Sequence, residues 1–270
     1  MRRRQTRAGA ALLLALVAAC LAAALAGLDP RALDLERVLE PPTLGHPMGT
    51  DALGRDLTAR VLHGGRASLA TGATATALAL VAGSLLGALA GASRGWADVA
   101  LARAADVVNA FPALIGALAI LGLAAGPLAL LPAPARVGLV VGAFSWPGLF
   151  RYLRAETRAW AASDVRASAR AAGASTLRTV VRHLLPLSLA PALTVAPFLA
   201  AGAILAEAGL GFLGLGISPP DPSWGNLLAD ARAADRSAWW LPVFPGTFLF
   251  AAVLGCYLLG EGLRSAVERS

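Results

Sequence analysis

Several patterns in this chain have the spacing of reactive sites, and each carries a different chemistry. Gly91-Ala92-Ser93-Arg94-Gly95 fits GxSxG, the turn that exposes a nucleophilic serine after a strand. Here it closes a long apolar run, and no His and acid are placed to activate the hydroxyl. Gly209, Gly211 and Gly214 fit GxGxxG, the dinucleotide fingerprint, but they too end an apolar run, with no preceding strand and no βαβ length. His46, His63 and His183 are scattered and form no HExxH pair, so metal catalysis has no support. Cys20 and Cys256 lie far apart inside apolar runs without a His or Cys at ligand spacing, which reads as plain packing. All 23 basic residues are Arg. A chain without lysine supplies no P-loop lysine, Schiff base or Ser-Lys dyad, so any nucleotide energy must come from a partner. No catalytic, cofactor-binding or metal-binding residue is expected on this chain.

The elements that carry these residues follow from composition. Of 270 residues, 57% are hydrophobic and 14% charged, which excludes disorder and an ordinary water-soluble enzyme. A helix needs ~20 apolar residues to cross ~30 Å of hydrocarbon. Charge-free runs of 21 (Ala8 to Leu28), 27 (Ala67 to Ser93), 29 (Val107 to Ala135), 23 (Leu184 to Ala206) and 24 residues (Ser237 to Gly260) are each long enough. Val137 to Phe150 has only 14 residues, and length alone leaves it a buried or re-entrant segment.

Charge decides that case. Arg-rich loops stay cytoplasmic. Arg2, Arg3, Arg4 and Arg7 place the N-terminus inside, and residues 151 to 183, with a net charge of +5, belong on the same side. An even number of crossings must therefore precede residue 151, so 137 to 150 crosses too, with Arg136 and Arg151 snorkelling to the interfaces. Loops 28 to 66 (net −1) and 207 to 236 (net −2) fall outside. The expectation is an all-α integral membrane protein of six transmembrane helices with both termini cytoplasmic. Residues 1 to 28 could also be read as a cleaved signal peptide, but a 21-residue core is long for one and favours an uncleaved anchor. The +7 net charge sits where orientation explains it, so nucleic acid is not expected as a partner; the lipid bilayer is.

Close backbone approach supplies much of the contact energy between helices in lipid. Gly83, Gly87 and Gly91 form a GxxxG ladder, and Gly122 with Gly126 and Gly138 with Gly142 repeat the spacing. Pro112, Pro147, Pro191 and Pro197 lie inside or near the ends of spans, where they bend helices.

Residues 163 to 186 read as helix, break, helix. Ser163 is a cap with Asp164 behind it, Gly173 interrupts, Ser175 or Thr176 caps again, and Pro186 suits a first turn. By charge alone this stretch could be an interfacial helix lying on anionic lipid. Its spacing also resembles the cytoplasmic loop of ABC-importer permeases, specifically the second permease of dipeptide, oligopeptide and nickel systems. That loop has Glu-Ala-Ala, three residues, Gly, nine residues, an apolar position, one residue and Leu-Pro. Here Ala167, Ser168 and Ala169 occupy the first three positions, Gly173 the break, His183 the apolar position, and Leu185-Pro186 the end. The acidic residue is thus missing.

The resemblance extends over roughly residues 44 to 264. It includes His46-Pro47-Met48-Gly49-Thr50-Asp51 with Gly54-Arg55-Asp56, and Glu207 through Gly216 running into Pro219-Pro220 and Ser223-Trp224-Gly225. Asp106 to Pro112, Trp146-Pro147, Arg154-Ala155-Glu156 and Gly260-Glu261-Gly262 are also similar. It implies a type I ABC importer transmembrane domain over 67–264, after a first helix (1–28) and an extracytoplasmic segment (29–66), in the bacterial inner membrane. It further implies a second homologous permease, two ATPase subunits holding ATP and Mg, and an extracytoplasmic substrate-binding protein. A coupling loop at about 151–186, with Asp164, Arg166, Ala167, Ser168, Ala169, Arg170, Gly173, Arg178, Leu185 and Pro186, would dock on an ATPase. Asp51, Arg55, Asp56, Pro219, Pro220 and Trp224 are the candidate binding-protein contacts.

Glu207 has two readings, a group on the substrate pathway or at the permease pair, and a structural hydrogen-bonding group at the outer interface; the second is favoured. A self-contained secondary transporter or channel is the competing function, and beyond Glu207, Asp98 and Asp106 the chain offers it few intramembrane acids. Cargo is not written in this sequence; dipeptides, longer peptides and nickel complexes all fit.

Overall fold

A computed structural model describes residues 2–93, 95–123, 126–163 and 175–267. The order is α1 (Arg2–Leu25), α2 (Leu57–Ala92), α3 (Trp96–Ala110), α4 (Ala113–Gly122), a 3-10 turn (Gly126–Leu130), α5 (Ala133–Ala161), α6 (Thr176–Thr179), a π turn (Val180–Leu184), α7 (Leu185–Leu193), α8 (Ala196–Phe212), α9 (Trp224–Ala233) and α10 (Trp240–Val267). Among the described residues there is no strand, only an isolated bridge between Thr50 and Asp56. Arg4–Ala23, Leu57–Ala92, Pro191–Phe212 and Trp240–Ala266 are long and apolar enough to cross a membrane, and α3 with α4 makes a fifth if the bent pair is one span.

The centre of the fold is the pairing of α2 with α5. A Cβ on Gly83 would lie 2.9 Å from Leu149 Cβ, one on Gly87 2.7 Å from Phe150 O, and one on Gly91 2.5 Å from Arg154 O. From the other side, Gly138 faces Thr71 O at 2.8 Å and Gly142 faces Ala75 O at 2.9 Å. The glycine ladder is therefore a real helix interface, built from both helices, while Gly122 has open space around it. Residue numbers rise together along this seam, so α2 and α5 run parallel. The connection between them must travel back along the bundle, and α3 and α4 make that return.

The remaining pairs alternate in direction. Gly9, Leu13 and Thr6 of α1 meet Leu259, Gly255 and Gly262 of α10, an antiparallel contact. Gly72 of α2 rests on Ile204 of α8, and Ser68 bonds Glu207, again antiparallel.

Three boundaries differ from those expected of the apolar runs. The 29-residue run from Val107 is not one helix: Pro112 has no N–H to continue α3 and disfavours helical geometry at Phe111, and α3 and α4 meet at 82°. The 14-residue run is embedded in the 29-residue α5, about 43 Å long at 1.5 Å per residue, which continues through Arg151, Arg154 and Arg158. Helix α2 starts at Leu57, ten residues before its apolar run, because Asp56 caps it by accepting from Thr58 N at 2.7 Å and because the charge of Arg60 is paired.

Candidate functional site

Two ends of the bundle carry the functional candidates. At one end, residues 37 to 56 fold into a tight turn over the N-terminus of α2. Thr50 Oγ1 donates to Arg37 O and accepts from Glu40 N, and Trp240 Nε1 donates to Thr50 O at 3.1 Å. Gly49 (φ +77°) lies against Glu40 O and the Trp240 ring, and Gly54 (φ +72°) against Asp34 O, where a Cβ would collide. The two glycines of the His46-to-Asp56 motif thus serve close approach.

This turn delivers Asp51 to a buried ion network. Arg60, 1% exposed, pairs with Asp51 and, at 3.2 Å, with Asp230 of α9. Arg55 Nε donates to Asp51 Oδ2 at 2.7 Å. A buried arginine is tolerable only when its charge is paired, and here two carboxylates meet Nη1 while Nε has no partner among the described residues. Asp51 Oδ1 also accepts from Leu53 N and Arg55 N, so one side chain organises both turn and network.

A second buried acid, Glu207 of α8, meets α2 at Ser68. Its Oε2 accepts from Ser68 Oγ at 2.6 Å, and Ser68 Oγ in turn accepts from Trp224 N at 3.2 Å. The relay binds α8, α2 and α9 at one point, with no exposed surface on Glu207. Trp224 itself is fully buried and donates Nε1–H to Val61 O at 3.0 Å. Ser223 and Asn226 form a capping box, and Asn226 Nδ2 also donates to Ile217 O and Asp221 O. The indole of Trp224 and the carboxylate of Asp51 therefore present almost nothing to an outside partner; they hold the cap together. Asp56 is a helix cap, Arg55 is largely covered, and Pro219 and Pro220 are exposed.

At the opposite end, acids of α3 grip arginines of α5. Asp98 accepts from Arg154 Nε at 2.5 Å, Arg154 Nη2 at 2.9 Å and Arg158 Nη2 at 2.6 Å, and Asp106 accepts from Arg151 at 2.8 Å. The bidentate Arg154–Asp98 fork fixes orientation as well as charge. Beyond Ala161, the sequence-predicted Asp164, Arg166, Ala167, Ser168, Ala169, Arg170 and Gly173 lie outside the described residues. Both flanks of that segment are held. Ser175 Oγ caps α6 by accepting from Arg178 N, Thr157 Oγ1 donates to Ser188 Oγ at 3.1 Å, and Val180, Leu184 and Leu185 bury against Ala88 and Ala92 of α2. Arg178 and Pro186 are exposed. Pro186 stands in the first turn of α7, which continues directly from the π turn before it. It has no N–H for Arg182 O, and the preceding Leu185 N–H reaches back five residues to Val180 O, giving the π turn.

Sequence reasoning missed Arg60, Asp230, Ser68 and the clasp of Asp98 on Arg154 and Arg158. Only the Ser223-x-x-Asn226 spacing and Asp98 in a first turn left a local trace.

A helix bundle with several membrane-length helices joined along glycine seams defines a polytopic membrane protein. Residues 83–270 match the family described as binding-protein-dependent transport system inner membrane component, and the chain belongs to it. It is 40% identical over 269 residues to a provisionally named peptide transport system permease protein of Brucella suis biovar 1, covering 99% of this chain and 88% of that one. It is 39% identical to the di/tripeptide transport system permease protein DppC of Pseudomonas aeruginosa (82% of this chain, 71% of that one). Against the glutathione transport system permease protein GsiD of Pectobacterium atrosepticum the identity is 36% (87% and 76%). The chain is an ABC-importer permease subunit and a multi-pass inner-membrane protein; membership implies an ATPase and a substrate-binding protein as partners.

Proposed function

We propose that this chain forms, with a second homologous permease, the pathway by which peptides or a related small solute enter the cell, driven by ATP hydrolysis on two partner subunits. The observation that carries this reading is the hairpin base. The helices on either side of residues 164–174 are pinned to each other at Thr157 and Ser188 and to α2 by the Leu184 cluster. A push on the loop from an ATPase would be transmitted along α5 and through α7 and α8 to Glu207, where the relay meets the opposite end. Alternating access needs such rigid levers between the motor and the far side.

Six crossings with both termini cytoplasmic fit the alternating helix directions, with α5 as the crossing that its short apolar run leaves undecided and α3 with α4 as a bent one. Peptide cargo is supported by the names of three relatives, which carry peptide, di/tripeptide and glutathione transport. The exposed Pro219 and Pro220 form the face offered to a binding protein, while Arg55 and Asp56 hold the outer turn that stands at the same end. Chemistry on this chain is not required.

A pull-down of tagged protein in mild detergent tests the reading. A second permease and ATPase chains should co-purify with ATPase activity, and an Arg166→Ala, Arg170→Ala, Gly173→Leu triple variant should lose both ATPase chains and activity. A protein that purifies alone and transports without ATP would overturn it.

A further inference from the structure

A cavity of about 670 Å³ opens between α1, the first turns of α2, and the segments around residues 29–31 and 217–222. That size lies within the ~300–1,000 Å³ of sites that hold small organic ligands. Its wall is apolar: Val17 and Leu21 of α1, Ala67 and Ala70 of α2, and Ile217. Val17 is 39% and Leu21 51% exposed, so the wall continues onto the outer surface of the bundle.

The mouth is charged on both signs. Arg31 donates to Asp221 Oδ1, and Asp29 accepts from Arg31 N at 2.8 Å, leaving both carboxylates exposed beside it. Arg66 lines the same cavity, is exposed, and has no hydrogen bond or ion pair among the described residues. It stands immediately before the 27-residue charge-free run that begins at Ala67, the position of a headgroup-level cation. Two arginines and two aspartates sum to zero, which complements a zwitterion and not a simple anion.

We propose that this cavity holds a zwitterionic glycerophospholipid of the outer leaflet, its phosphate on Arg66, its ammonium facing Asp29 and Asp221, and its upper acyl chains along Val17, Leu21 and Ala70. The inference rests on the orientation given under Proposed function, which puts the start of α2 outside. The lipid wedges between α1 and the 217–222 segment and so joins the peripheral first helix to the outer cap.

Native mass spectrometry of the full-length chain, purified with the subunits that accompany it, tests the site with phosphatidylethanolamine, phosphatidylglycerol and a dipeptide as probes. One phosphatidylethanolamine should survive delipidation and exceed phosphatidylglycerol about tenfold at equal supply. Arg66→Gln should lose that preference and Arg66→Lys keep it, both at unchanged thermal midpoint in lipid-free detergent. Equal retention by wild type and Arg66→Gln, equal retention of the two lipids, or displacement by the dipeptide would each overturn the assignment. Orientation is read separately in spheroplasts by impermeant maleimide on Ser218→Cys, an exposed position beside Ile217, with Cys20 and Cys256 buried. Labelling makes a negative lipid result count against the cavity alone; no labelling removes the leaflet assignment and the proposal with it.

Discussion

Ser68 on α2 gives its hydroxyl proton to Glu207 on α8 across 2.6 Å, and the same oxygen receives the N–H of Trp224 on α9. Three helices separated by up to 156 positions in sequence meet at this one hydroxyl. We propose that Glu207 serves here as a hydrogen-bonding group at the helix contact and not on the cargo pathway. Glu207→Gln keeps the shape and leaves an acceptor for Ser68 Oγ, while placing an amide in a fully buried site. The variant should lose about 1 kcal/mol of stability. Transport per assembled complex should stay at the wild-type rate; a lower rate with normal assembly would place the carboxylate on the cargo pathway instead.

The glycine seam predicts a position-specific cost. Gly87→Ala puts a methyl 2.7 Å from Phe150 O, and neither backbone can retreat cheaply. Overpacking of this kind costs about 1–3 kcal/mol. Gly148→Ala, on α5 but in open space, should be neutral or slightly stabilising from helix propensity. Detergent-resistance melts of the two variants separate interface from composition: equal melting would mean that the seam is only a consequence of abundant glycine.

What the sequence made legible was the physics that repeats locally. Apolar runs marked the membrane-length helices, and GxxxG spacing marked the α2–α5 seam although the sequence does not name the partner helix. The start of α2 was hidden because Arg60 reads as a charge that ends a span. Its neutralisation comes in part from Asp230, 170 positions away, which no local pattern records. Trp224, a candidate binding-protein contact by its place in an outside segment, is buried because Val61 O, 163 positions away, accepts its indole N–H, a pairing that no local pattern records. The break at Phe111-Pro112 was written in the proline, yet an uncharged run of 29 residues hid it from a length criterion.

The Asp51–Arg60 pair should behave as a buried one. Asp51→Asn leaves a guanidinium of 1% exposure with one partner fewer, and breaking such a pair costs about 3–5 kcal/mol. Asp230 is 46% exposed, so Asp230→Asn should cost about 1 kcal/mol or less. Thermal midpoints of the two variants should therefore differ widely, with the Asp51 change also exposing the 37–56 turn to protease. Similar midpoints would mean that Arg60 finds water in place of Asp51.

The clasp at the other end makes a graded prediction. Asp98 is 11% exposed and grips Arg154 at 29% and Arg158 at 50% exposure. Solvent screens the outer pair more, so Arg158→Ala should cost about 0–1 kcal/mol, and that loss should shrink further in high salt. Arg154→Ala removes the two-pronged fork and should cost more at every salt concentration. Asp98→Asn loosens both arginines at once, and with them the tie between α3 and the end of α5 that leads to residues 164–174. Its ATPase activity should then respond less to added cargo than the wild type does, at similar basal rate. An Asp98→Asn protein with full cargo stimulation would show that α3 only braces α5 and takes no part in passing the motion on.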